Sequence, residues 1–153
     1  MNIIISIIAR YQTNFWLKTA NNLTRNRYLK VSFICFDSES YDLISKTGYD
    51  CYQGWKNYNE ELNYVKAFKK IEYLAEKNNV VLENHFHHEA ISFGLNKKKA
   101  LKKKLVERFI SCENVIINYD YGSKVIVLQE LGGYFSNLGL FLACRSRNFD
   151  NYY

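Results

Sequence analysis

Short apolar runs rich in β-branched residues alternate along the chain with longer stretches whose apolar positions recur at helical spacing. The runs occupy residues 3–8, 29–36, 49–52, 80–82 and 125–129, and another begins at Phe149. The run at 3–8 is continuous, which is typical of a central parallel strand that is buried on both faces. The alternation predicts one Rossmann-like α/β domain over residues 1–153, with a doubly wound, mostly parallel sheet and helices on both faces.

The amphipathic stretches between these runs predict the helices. They cover residues 13–26, 39–46, 59–77 and 97–111, with shorter helices at 87–93 and after Gly133. The first helix is expected to face inward through Phe15 and Trp16. Residues 115–118 are either a short strand or the frayed end of the preceding helix. Because residues 125–129 follow too closely for a parallel crossover, one of these two segments is expected to leave the sheet or to pair antiparallel.

Composition narrows the class of protein. Of the 153 residues, 48% are hydrophobic, which is enough for a core and too many for a disordered chain. The amino terminus lacks the basic region of a signal peptide, and no apolar run approaches the ~20 residues of a transmembrane helix. The four cysteines have no CxxC spacing, which favours reduced thiols in a cytoplasmic protein over a metal or disulfide framework.

Most of the net charge of +6 comes from a lysine-rich segment at the start of one predicted helix. Its members are Lys97, Lys98, Lys99, Lys102, Lys103 and Lys104. Such a segment is usually a solvated face, but cationic side chains at a helix start oppose the helix dipole. We therefore favour a peripheral contact between residues 97–104 and an anionic membrane surface, and we expect no nucleic acid partner.

Polar side chains follow several of the predicted strands. If the strands are parallel, their carboxyl ends meet at one edge of the sheet, and the residues there form one rim. The members of that rim are Arg10, Asp37, Glu83, His85 and Glu130. Open α/β sheets bind ligands beyond this edge, so the rim is the predicted ligand site.

The densest group of titratable side chains lies between Glu83 and Glu89 and contains all three histidines, His85, His87 and His88. Because histidine titrates near neutral pH, a catalytic base or a substrate contact is favoured here. A metal site is a weaker alternative, since the spacing differs from HExxH. A solvated loop is the plainest alternative.

Two glycines, Gly132 and Gly133, separate the strand at 125–129 from the helix that follows. Such a turn lets backbone N–H groups approach an anion at the helix N-terminus, or it serves only close packing between strand and helix. The chain contains neither a GxGxxG dinucleotide motif nor a GxxxxGKS/T phosphate loop. No cofactor is predicted.

The segment VIVLQELGGYFSNLGLFLACRSRNFDNYY, residues 125–153, resembles the N-terminal domain of bacterial capsular polysaccharide biosynthesis proteins that look like GT-B glycosyltransferases. The matching positions are Gln129, Glu130, Gly132, Gly133, Ser136 and Asn137. The segments ENHFHHEAISFG and IIARYQTNFW are similar as well, so the resemblance spans most of the chain.

The resemblance implies the acceptor-binding half of a two-domain transferase that is inactive without its other half. The missing second domain would bind a nucleotide-sugar donor, and no metal would be required. A base would deprotonate a saccharide or lipid-linked acceptor, with His88 or His85 as the base, oriented by Glu83 or Glu89. The residues expected to bind substrate are Arg10, Glu130, Gly132, Gly133 and Asn137.

Two other functions compete with this interpretation. A small basic α/β module that binds nucleic acid or a protein without catalysis would suit the positive charge and the many aromatic residues. However, those aromatic residues are spread through predicted cores rather than interleaved with the lysines. A receiver-like domain is disfavoured, because the expected acidic pocket and strand-end lysine are not evident.

Overall fold

The computed structural model describes residues 1–55, 63–119, 124–130 and 132–152. The strands in this part of the chain are β1 (Asn2–Ile7), β2 (Lys30–Cys35), β3 (Asp50–Gln53), β4 (Val125–Leu128) and β5 (Asp150–Tyr152). The helices are α1 (Thr13–Leu23), α2 (Ser38–Ile44), α3 (Tyr64–Lys77), α4 (Leu82–Phe93), α5 (Lys98–Ile117) and α6 (Phe135–Ser146). A short 3-10 turn, Arg10–Gln12, precedes α1.

The described strands form one all-parallel sheet in the order β3-β2-β1-β4-β5. In the register, Ile3 of β1 pairs with Val31 of β2 on one side and with Ile126 of β4 on the other. The chain moves outward from β1 to β3, returns to the other side of β1, and moves outward again to β5. This topology confirms the doubly wound α/β fold and places the switch point of the sheet between β1 and β4.

Side chains of β1 alternate between two cores, one on each face of the sheet. The first core contains Ile3, Ile5 and Ile7 together with residues of α1 and α2. The second contains Ile4 together with residues of α3, α4, α5 and α6. Because helices cover both faces, β1 has four isoleucines that point to both sides of the sheet, and Ser6 is the polar residue buried within it.

The segment at residues 80–82 is not a strand, contrary to the sequence-based expectation. Its last residue, Leu82, begins α4, which continues to Phe93 and absorbs the shorter helix expected at 87–93. Gly94 ends α4 in the left-handed conformation at φ 64°. A run of three apolar residues is too short to distinguish a strand from the start of a helix.

The segment at 115–118, for which both a strand and a helix end were expected, forms the end of α5, which continues to Ile117 and is capped by Asn118. Consequently β4 pairs parallel with β1, and the whole region from α3 to α5 forms the crossover between β3 and β4. The expectation for α1 was partly wrong, because Phe15 is 64% exposed and Ala20 is the apolar residue fully buried on that helix. The expected helix start at residue 59 lies outside the described residues.

The cysteines are free thiols, and Cys35, Cys112 and Cys144 are buried. Burial raises the pKa of the Cys112 thiol and of the Cys144 thiol, so both stay protonated near neutral pH. Within the part of the chain that the structure describes, no helix has the length and apolar character needed to cross a membrane.

Candidate functional site

A cleft of about 410 Å³ opens beyond the carboxyl ends of β1, β2 and β4, at the switch point of the sheet. Residues that directly follow these strands line it: Ile8 and Ala9 after β1, Phe36 and Asp37 after β2, and Glu130 after β4. Side chains of α4, α5, α6 and the 3-10 turn complete the lining. This is the position at which open α/β sheets bind ligands. Of the predicted rim, Asp37 and Glu130 line the cleft, whereas Arg10, Glu83 and His85 do not.

Gln12 joins the ends of β1 and β4 across the cleft. Its Oε1 accepts hydrogen bonds from the backbone N–H groups of Ile8 and Ala9, at 2.9 and 3.3 Å. Its Nε2 donates to Oε2 of Glu130. These bonds hold the Glu130 carboxylate beside the end of β1. Gln12 was not predicted from the sequence, because a single glutamine in a turn belongs to no motif.

The first turn of α6 borders the cleft. Asn137 donates from Nδ2 to the backbone carbonyl of Glu130, which holds the first turn of α6 against the end of β4. A Cβ atom on Gly132 would lie 3.1 Å from Oδ1 of Asn137, and one on Gly133 would lie 2.8 Å from the ring of His88. Both glycines therefore serve close packing, which was one of the two expectations for this turn.

A buried ion pair forms one wall of the cleft. Oε1 of Glu89 lies 2.6 Å from Nζ of Lys104, and the Glu89 side chain is only 2% exposed. Oε2 of Glu89 accepts a hydrogen bond from the backbone N–H of Phe135, the first residue of α6, at 3.0 Å. The carboxylate thus supplies the anion that the N-terminus of α6 favours, and it ties α4, α5 and α6 together.

Arg108 follows Lys104 by one turn of α5 and lines the same cleft. Its Nη1 donates to the backbone carbonyl of Gly54 at 3.4 Å, and its guanidinium carbon lies 5.9 Å from the ring centroid of Phe36. Burial lowers the pKa of this guanidinium, which nevertheless remains charged at neutral pH. Lys104 and Arg108 were not predicted as site residues, because the groups that they contact, Glu89 and the carbonyl of Gly54, belong to other elements.

Aromatic rings border the mouth of the cleft. Tyr11 and Phe93 are 79% and 55% exposed, which is unusual for side chains of their size. Tyr134 lies between α4 and α6, with its ring centroid 4.7 Å from that of His88 and 5.8 Å from that of Phe93. Tyr11 and Tyr134 offer flat apolar surface beside the polar lining, whereas Nζ of Lys104 lies over the ring of Phe93, 3.7 Å from its centroid.

α4 distributes the predicted histidine cluster over different surfaces. Glu89 lines the cleft, whereas His88 lies outside the lining and packs against Tyr134, which belongs to it. Nδ1 of His85 lies 2.9 Å from the backbone carbonyl of Gly133, which places this ring behind the turn rather than in the lining. The cluster is therefore not a single catalytic group.

Gly132 and Gly133 lie outside the lining, and so do three other predicted residues. Glu83 and His87 border a separate surface depression, where Glu83 pairs with Lys98 at 3.1 Å. Arg10 is half exposed, and its Nε lies 3.9 Å from the exposed carboxylate of Glu39. The structure thus brings together Asp37, Glu89, Glu130 and Asn137, but it does not bring Glu83 or Arg10 to them.

The part of the chain that the structure describes contains no group of three or more His, Cys, Asp or Glu side chains that could hold a metal ion. In comparisons with known proteins, no family model matches the chain and no curated protein is significantly similar to it. The fold is that of a doubly wound α/β protein, and its cleft lies at the switch point, where open α/β sheets generally bind ligands. The resemblance to capsular polysaccharide proteins stays a prediction.

Proposed function

We propose that this chain is the acceptor-binding half of a glycosyltransferase-like protein of capsular or surface polysaccharide biosynthesis. The observation that carries the proposal is the cleft at the switch point, where carboxylates and amides lie beside aromatic rings. The hydroxyl groups of a sugar can bond to the carboxylates and amides, and its apolar C–H faces can pack against the aromatic rings. Its chemistry therefore complements this lining. The resemblance of residues 125–153 adds the transferase class to this inference.

Each side of the cleft has a role in the proposal. Glu130 and Asn137 bind acceptor hydroxyl groups, and the ring of Tyr134 packs against the sugar. Gly132 leaves room for the side chain of Asn137 beside the end of β4, and Gly133 leaves room for the ring of His88 on α4.

Transfer requires a base within hydrogen-bond reach of the acceptor hydroxyl. Glu89 is engaged by Lys104 and by the N–H of Phe135, so it positions α6 instead of accepting the proton. We assign the base to His88, which packs against Tyr134 of the lining. A second domain outside this chain would bind the nucleotide-sugar donor, and the chain alone is not expected to transfer sugar.

Saturation-transfer NMR of the chain with a panel of neutral and acidic mono- and disaccharides tests the proposal. At least one sugar is expected to receive magnetisation from the wild-type protein. The signal should be lost in Glu130→Gln and Tyr134→Ala but kept in Glu39→Gln, a control that alters an exposed carboxylate outside the cleft. A panel in which no sugar gives a signal would contradict the assignment of the cleft.

The proposal also places the protein in the cytoplasm, in peripheral contact with the inner face of the membrane. It is supported by a groove of about 610 Å³ between α3 and α5, which we call the lysine groove. Its apolar members are Val65, Phe68 and Val106, and its cationic members are Lys69, Lys99, Lys102 and Lys103. Apolar surface rimmed by lysines suits an anionic lipid interface.

The lysine groove equally supports the alternative function, a basic binding module without catalysis. A gel shift with generic RNA and DNA distinguishes the two, because nucleic acid binding through lysines weakens steeply with salt. Tight, salt-dependent binding would favour the module over the transferase half.

A further inference from the structure

Arg108 is the cation of the cleft that has no carboxylate within ion-pair distance among the described residues. Its Nε is buried without a hydrogen-bond partner in the described part of the chain, and its Nη1 makes only the long 3.4 Å contact with the Gly54 carbonyl. By contrast, Lys104 on the same helix is paired with Glu89 at 2.6 Å. Burying a charge without a partner is costly, so this arrangement needs an explanation.

Two acceptor atoms of the same cleft lack donors as well. Oδ2 of Asp37 and Oδ1 of Asn137 are buried and accept no hydrogen bond from the residues that the structure describes. The other polar atom of each side chain is engaged: Oδ1 of Asp37 accepts from the N–H of Ser40, and Nδ2 of Asn137 donates to Glu130. The cleft therefore combines one cationic donor with two acceptors.

We infer that the ligand of the cleft is an acidic carbohydrate, a sugar whose carboxylate or phosphate group pairs with Arg108. A planar guanidinium binds both kinds of oxyanion through parallel hydrogen bonds. The sugar hydroxyl groups supply the donors that Asp37 and Asn137 lack. This inference rests on the proposed function and adds the charge of the acceptor to it.

The position of Arg108 is fixed before any ligand binds. At Gly139 the backbone of α6 touches α5, since a Cβ there would lie 3.0 Å from the backbone N of Phe109 and 3.1 Å from the carbonyl carbon of Arg108. The guanidinium then lies near the ring of Phe36 at the end of β2. A preorganised cation loses little entropy on binding an anion.

The other charges of the cleft leave Arg108 available. Burial lowers the pKa of this guanidinium and the charges of Glu89 and Glu107 raise it, but neither carboxylate forms an ion pair with it. Glu89 pairs instead with Lys104 at 2.6 Å, and Glu107 lies 3.8 Å from Lys103. An anionic group at Arg108 therefore completes a charge pair, whereas a neutral sugar would leave the guanidinium without one.

Calorimetric titration of the full chain with matched probes tests the inference: a hexose, the corresponding hexuronate, the hexose 1-phosphate, and inorganic phosphate. At least one acidic sugar is expected to bind about tenfold or more tightly than the hexose, as charged hydrogen bonds allow. Whichever acid binds more tightly identifies the source of the anion. Arg108→Gln should abolish the difference, whereas the control Arg25→Gln, at an exposed position after α1, should preserve it.

Equal affinity for the hexose and both acids would overturn the inference while leaving the proposed function in place. Inorganic phosphate bound as tightly as the hexose phosphate would overturn it too, because the hydroxyl groups would then contribute nothing. Binding of no sugar would contradict both proposals. If Arg108→Gln does not fold, Arg108→Lys replaces it, because lysine keeps the charge but lacks the planar guanidinium. This variant must weaken binding of the acidic sugar more than binding of the hexose.

Discussion

The cleft and the lysine groove share helix α5, yet they are built in different ways. The groove joins two amphipathic helices, and most of its cations stand in one short segment of sequence. The cleft joins residues from three strand ends and four helical segments, including Gln12 and Glu130, which are 118 positions apart. Lysines that are neighbours in the sequence of α5 therefore have different roles, because the helix presents them to different surfaces of the protein.

Lys103 and Lys104 illustrate the difference. Lys103 is 64% exposed and lies 3.8 Å from Glu107, whereas Lys104 is 23% exposed and lies 2.6 Å from Glu89. Exposed pairs contribute little because water screens them, but breaking a buried pair leaves a charge without a partner. We therefore expect substitutions in the cleft to cost much more stability than substitutions in the groove.

The largest effect is expected for Glu89→Gln, which leaves Lys104 without its counter-ion in a mostly enclosed position. We expect a loss of about 3 kcal/mol in the free energy of unfolding, measured by urea denaturation. The matched control is Glu83→Gln, which breaks the exposed pair with Lys98 and should cost below about 1 kcal/mol. Equal losses in the two variants would refute the distinction between buried and exposed pairs.

Gly139→Ala is expected to cause the next largest loss of stability, because its new Cβ would meet the backbone of α5, which has little freedom to move. A loss of about 1–3 kcal/mol is expected from overpacking, measured by thermal denaturation. In Gly132→Ala the close neighbour is only the side-chain amide of Asn137, so a smaller loss is expected. If Gly132→Ala were the more damaging change, the helix contact would not be what holds Arg108.

Gly133→Ala should destabilise through its contact with His88, by about 1–2 kcal/mol. In a His88→Ala background the ring is absent, so the same substitution should be nearly neutral. A double-mutant cycle in urea measures this coupling. Additive effects would mean that the ring of His88 does not pack against the turn.

The smallest effect on stability is expected in the groove. The triple change Lys99→Gln, Lys102→Gln and Lys103→Gln should alter the free energy of unfolding by less than about 1 kcal/mol. The same variant should bind phosphatidylglycerol vesicles on the order of a hundredfold more weakly, at about 1 kcal/mol per lysine. Unchanged sedimentation with these vesicles, with phosphatidylcholine vesicles as the reference, would remove the proposed membrane contact.

Most strands of the fold could be predicted because each is a local, nearly unbroken apolar run. The segment at 80–82 failed because three apolar residues fit a strand and a helix start equally well, and only packing of α4 into the second core decided between them. The strand at 125–129 was placed correctly, but its parallel pairing depended on α5 reaching Ile117, which periodicity left open.

The sequence by itself determined the alternation of strands and helices, because that alternation follows directly from local apolar patterns. It also determined the edge of the sheet at which Asp37 and Glu130 lie, because each of these residues comes just after an apolar run. Only the tertiary structure decided which side chains meet there. It turned Glu89 inward and Glu83 outward on one helix, and it brought Gln12, Lys104 and Arg108 to the cleft. The physical reason is that burial and pairing depend on contacts between distant segments, which no spacing within one segment encodes.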